Sequence, residues 1–155
     1  MRGFTLIELV ITVGISMLLI GGIVVNYNSF NDTQALKQVG LTLKNNLRLA
    51  QVKSTSVIKP ESGCTQLVGY RVTFAASSYA TQAQCTEGLV GEATTVVLPS
   101  GVTFSPIPTS VTFAALTHTL VSGNPLNVTL LGRSKRYLLQ ISANGEVEDV
   151  GLQSL

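Results

Sequence analysis

Glu8 sits at the head of a long apolar stretch, and the next charged residue is Asp32. A carboxylate inside such a stretch is expensive in hydrocarbon and is a functional candidate by default. Phe4 lies four residues before it, so the two share one face of a helix. Elsewhere the chemistry-bearing residues are sparse. His118, in Leu116-Thr117-His118-Thr119, has no carboxylate within 25 residues on either side and no nucleophile motif such as G-x-S-x-G. It reads as a surface or strand-end histidine, and no catalytic residue is assigned. The chain has no G-x-x-x-x-G-K and no G-x-G-x-x-G, so nucleotide binding has no support. One histidine and two cysteines exclude multi-His and multi-Cys metal sites, and no metal or cofactor is expected. Arg133-Ser134-Lys135-Arg136 places three cations at a hairpin tip, where they could grip phosphates. The competing reading is a solvated turn whose field is cancelled by Glu146, Glu148 and Asp149 on the following, paired strand.

Composition agrees with a chain that is not wholly water-exposed. Charged residues are 12% of the 155, against roughly 25% in an average soluble protein. Apolar residues are 45% and mean hydropathy is +0.39. A net charge of +2 is too small to make nucleic acid or an acidic membrane the main partner. High apolar content with low net charge also excludes intrinsic disorder.

The elements that position Glu8 follow from the apolar pattern. Leu9 to Val25 is uncharged, and Phe4–Val25 makes 22 residues, enough for about 30 Å of hydrocarbon as a helix. The run is longer than a signal-peptide core and is not followed by a small-residue cleavage site. Arg2 precedes it and no lysine or arginine recurs until Lys37, which places the N-terminus in the cytoplasm. No proline occurs before Pro60, so the helix is expected to continue from Phe4 to Lys53, about 75 Å. Leu36, Val39, Leu43, Leu47 and Ala50 form an amphipathic stripe, with Lys37, Lys44, Arg48 and Lys53 off it. Ile58 to Gly63 breaks the pattern and marks a linker. Beyond it, β-rich runs are read at Leu67–Phe74, Thr94–Leu98, Val111–Leu116, Leu126–Leu131, Arg136–Ser142 and Glu146–Val150. Turn residues separate them, and Asn144-Gly145 is the clearest hairpin signal. The expected fold is α+β: a long N-terminal helix, part transmembrane and part amphipathic, packed on a C-terminal antiparallel sheet or two-sheet sandwich.

Met1-Arg2-Gly3-Phe4-Thr5-Leu6-Ile7-Glu8 resembles the class III signal of type IV pilins and type II secretion pseudopilins. The late Gly-containing hairpin looks most like the GspH/FimT branch of minor pilins and pseudopilins. The resemblance implies cleavage by a prepilin peptidase between Gly3 and Phe4, and N-methylation of Phe4. It implies that Glu8 neutralises the Phe4 amine of a neighbouring subunit and so sets register during assembly. Residues 1–3 would then be a leader, 4–25 the transmembrane helix and filament core, 26–57 the amphipathic half, and 58–155 the extracytoplasmic β-rich domain. Implied partners are other pilin or pseudopilin subunits, prepilin peptidase, the membrane and an inner-membrane assembly platform. The implied place is the cytoplasmic membrane as a single-pass protein, then an extracellular or periplasmic filament. In such an exported domain Cys64 and Cys85 are expected to pair; the alternative is two buried free thiols. Two features depart from the family: the leader is short, and Val25 stands where many pilins carry a proline. The alternative function is a DNA-binding minor pilin in DNA uptake, acting through Arg133, Lys135 and Arg136. FimT-like DNA binders carry a basic G-R-x-R after the late turn, whereas this chain reads Gly145-Glu146-Val147-Glu148. That charge reversal counts against DNA as a partner.

Overall fold

The computed structural model describes residues 5–155, apart from the side chains of residues 20–29. Helix α1 runs from Leu6 to Thr55, 50 residues, and Thr5 caps its start by accepting a hydrogen bond from the Glu8 amide. Thr5 is thus an N-cap residue for the helix. At the far end the Ile58 amide donates to the Lys53 carbonyl and the Val57 amide to that of Ser54. This Schellman closure needs a left-handed residue, usually glycine, and Val57 occupies it at φ 51°. Its side chain packs against the core, which offsets part of the backbone strain. The helix therefore stops two residues beyond the expected Lys53.

Two four-stranded antiparallel sheets follow. The first comprises β1 (Leu67–Ala75), β2 (Ser78–Cys85), β3 (Gly88–Val97) and β5 (Val111–Ala114), in the order β3-β2-β1-β5. The second comprises β4 (Thr103–Phe104), β6 (Leu126–Leu131), β7 (Lys135–Ile141) and β8 (Val147–Ser154), in the order β4-β6-β7-β8. Three expected strands are corrected. β3 begins at Gly88 rather than Thr94, β5 ends at Ala114 where Leu116 turns to φ 64°, and β8 extends past Val150 to Ser154. β2 and the short β4 were not expected from the sequence. β2 reads Ser-Tyr-Ala-Thr-Gln-Ala-Gln-Cys, poor in strand formers, and is held by pairing on both sides with β1 and β3.

The helix stripe forms the middle of the core. Leu36, Leu43, Leu47 and Ala50 are buried against Val72, Phe113, Val128, Leu130, Leu139 and Ile141 from the two sheets. Polar contacts fix its rotation. The Ser54 hydroxyl is buried and donates to the Phe113 carbonyl at 2.6 Å. The Gln51 amide donates to the carbonyls of Gly145 (3.1 Å) and His118 (3.2 Å).

Cys64 and Cys85 form a disulfide that ties the linker to the end of β2 across 21 residues. A loop of that size is worth about 3 kcal/mol in the chain-entropy model. Changing both to serine is expected to lower the midpoint of thermal unfolding by about 6–12 °C at this chain length. An unchanged midpoint would show that the bridge does not hold the linker.

Candidate functional site

Every described residue from Thr5 to Leu19 is exposed, and ten of these fifteen are large and apolar: Leu6 is 82% accessible, Leu18 81% and Leu19 63%. These side chains surround the helix and do not keep to one stripe. No sheet covers them, whereas the stripe beginning at Leu36 is buried. An exposed apolar surface of this extent needs a partner or a lipid environment. Glu8 lies in its first turn, where a carboxylate is also favoured by the helix dipole. The two hydroxyls within the stretch turn inward: Thr12 donates to the Leu9 carbonyl and Ser16 to that of Thr12. They add no free hydrogen-bonding group to the apolar surface.

Gly3 and Phe4 lie outside the described residues. Among the described residues no helix is long and apolar enough to cross a membrane. The described side chains of the apolar run stop at Leu19, so most of the expected 4–25 span is covered and its outer end is not.

The basic tip is built by the β6–β7 turn. Arg133 reaches Asp32 on the helix at 3.8 Å, and both are well exposed. Such a pair contributes little and is screened by salt. Lys135 opens β7 opposite Ser154, and Arg136 faces Gln153. The acidic residues lie at the other end of the same pair, with Glu148 opposite Gln140 and Asp149 opposite Leu139. The expected cancellation of the basic cluster by Glu146, Glu148 and Asp149 is therefore corrected. Four residues of strand separate Arg136 from Gln140, about 13 Å, beyond the screening length at physiological salt. Asp149 is instead engaged by Lys44 of the helix at 3.8 Å. His118 is exposed, and its backbone carbonyl, not its ring, makes the contact with Gln51.

Tyrosines mark where helix and sheets lock together. Burial raises the Tyr137 phenol above its ordinary value, and its hydrogen bond to Asp149 acts in the same direction. Burial raises Tyr70 too, and raises Tyr79 against the opposing hydrogen bond from Asn46. All three hold their protons more tightly folded than unfolded. Their contribution is therefore fully present below about pH 10 and is lost as pH rises through the folded values. The unfolding midpoint is expected to be level from pH 7 to about 9 and to fall above about 10. Tyr137→Phe should blunt that fall. An unblunted fall would assign it to other groups.

No protein-family model matches the chain, and no curated protein matches it in sequence. Its fold matches two crystal structures of the type IV minor pilin FimU from Pseudomonas aeruginosa. The first has a TM-score of 0.59 at 14% identity and covers 77% of this chain and 91% of that one. The second has a TM-score of 0.54 at 14% identity, covering 76% and 92%. The chain thus has the fold of a minor pilin: a long N-terminal helix with antiparallel sheets.

Proposed function

We propose that this chain, having the fold of a type IV minor pilin, is a structural subunit of a type IV pilus or type II secretion pseudopilus. One observation carries the reading: the helix from Leu6 to Leu19 is exposed and mostly apolar, while a stripe of the same helix, Leu36, Leu43, Leu47 and Ala50, is buried in a folded domain. Helices of neighbouring subunits would cover that surface in a filament, and lipid would cover it beforehand. Glu8 then needs a cation, and the amine of a neighbour's Phe4, freed by cleavage after Gly3, is the candidate. The work is assembly, not catalysis. Prepilin peptidase, an inner-membrane platform and other pilin-type subunits are the partners this requires. The route runs from a single-pass cytoplasmic-membrane protein, with its β domain outside, to an extracellular or periplasmic filament.

Mass spectrometry of the sheared filament fraction tests this reading. The protein is expected to start at Phe4 with a methylated amine. Assembled protein retaining Met1 would contradict it.

The basic tip favours a second reading, DNA capture by a minor pilin through Arg133, Lys135 and Arg136, since no acidic strand faces it. Arg133 is already paired with Asp32, and three phosphate contacts give only weak, salt-sensitive binding. Electrophoretic shift with double-stranded DNA at two salt concentrations separates the readings.

A further inference from the structure

One flank of α1 carries a groove with graded chemistry. β3 is the free edge of the first sheet, and most of its residues are exposed. Beneath it run three adjoining recesses. The lowest, about 320 Å³, lies against Ala35, Val39, Val97 and Pro99. A middle one of about 90 Å³ lies against Asn46 and Leu49 and shares Tyr79 and Val96 with the first. The uppermost, about 180 Å³, lies against Lys59, Tyr70 and Glu92 and shares Lys53, Thr81 and Thr94 with the middle one. From Ala35 to Lys53 the helix rises about 27 Å. The groove is apolar at its lower end and carries Lys53, Lys59 and Glu92 at its upper end, a net charge of +1. Lys59 donates to the Thr65 carbonyl at 2.7 Å, and the Lys53 ammonium stands 5.8 Å from the centre of the Tyr70 ring. The ion pairs seen among the described residues engage Lys44 and Arg133, not these two lysines.

The opposite flank is complementary. Lys44 precedes Lys53 by nine residues, two and a half turns, so it points to the other side of the helix. There β8 is the free edge of the second sheet, bound to the helix through Lys44 and Asp149. Glu146 and Glu148 are exposed, and Val150 is 50% accessible. The strand descends along the helix from Gly145, level with Gln51, through Asp149, level with Lys44. Its order from top to bottom is therefore acidic and then apolar. The groove reads, in the same direction, cationic and then apolar.

We infer that the groove of one copy receives the β8 edge of a second copy. Glu146 and Glu148 then approach Lys53 and Lys59, and Val150 approaches Val97. The inference rests on the filament reading, which requires copies that share one axial direction. The matching order on the two flanks satisfies that requirement. Two different surfaces on opposite sides of one molecule make a heterologous contact that repeats without closing on itself. A groove-to-groove pair would instead set lysines against lysines.

The test uses the full chain in cells that assemble filaments. One tagged copy carries Val97→Cys and a second, differently tagged copy carries Val150→Cys. After mild oxidation of sheared filaments, a disulfide-linked dimer is expected only when both copies are present. Lys53→Glu with Lys59→Glu in the first copy should cut its yield about tenfold or more, through like-charge repulsion. Glu146→Lys with Glu148→Lys in the second copy should restore it. Dimers from Val97→Cys alone, a yield indifferent to the charge reversals, or a bond to some other chain would each overturn the inference. Wild-type chain present in filaments whose paired cysteine copies give no dimer would overturn it and leave the filament reading standing. Wild-type chain absent from filaments would overturn that reading, and the lateral contact with it.

Discussion

Gly145→Ala is expected to lower stability by about 3 kcal/mol or more, from two independent causes. Gly145 sits at φ 82°, a left-handed conformation that costs a residue with a Cβ about 1–2 kcal/mol. A Cβ built there would also lie 1.6 Å from the His118 carbonyl oxygen, which is backbone and cannot swing aside. The hairpin explains why the chain is so placed. The Gly145 amide donates to the Ser142 carbonyl, and the Ser142 amide donates to that of Glu146. This makes a three-residue loop with glycine in its left-handed position. Gly123 is the control, with φ 66° and nothing within 4 Å of its missing Cβ. Gly123→Ala should cost only the backbone strain. Thermal unfolding of the full chain in detergent measures both, with the Gly145 variant falling by about 6–12 °C or more and the Gly123 variant by about 2–8 °C. Equal shifts would mean that the contact with His118 is not the dominant cost.

What the sequence discloses depends on whether the signal is local. The stripe from Leu36 to Ala50 is legible because burial repeats at the helical period, and the structure buries Leu36, Leu43, Leu47 and Ala50 and half-buries Val39. Asn144-Gly145 is legible as a turn, but not the packing beneath it, since His118 comes from a distant loop. β2 is hidden because Ala and Gln carry no strand preference and pairing alone decides. Val57 is hidden for the converse reason: a β-branched residue in a left-handed cap contradicts local preference and is held by the core. The charge assignment around Arg133 fails on register. Adjacent strands were rightly expected to pair, but the β7–β8 register places Arg136 opposite Gln153 and the acids at the far end. Lys44 and Arg133 take partners across the helix–sheet boundary, which no spacing in the sequence announces. At the candidate site, the apolar character of the helix start, whose described side chains from Leu6 to Leu19 are exposed, was legible from its composition. The cap at Thr5 was not read from the sequence, because the same four residues were read only for their resemblance to a signal.

Glu8→Ala separates the roles that converge on that residue. The cap uses the backbone amide of Glu8, so removing the carboxylate leaves the hydrogen bond to Thr5 in place. Loss of the favourable charge at the helix start costs about 0.3–1 kcal/mol, too little to unfold the chain. Membrane insertion should become easier, since a carboxylate in a bilayer costs on the order of 2.5–3.5 kcal/mol on insertion scales. On the proposed filament reading assembly should fail, because a neighbour's Phe4 amine would lose its partner in hydrocarbon. The decisive measurement is the ratio of this chain in sheared filaments to that in membranes, wild type against Glu8→Ala. The account predicts equal membrane levels and equal cleavage, with the variant lost from the filament fraction. A variant that enters filaments as the wild type does, or one that disappears from the membrane itself, would contradict it.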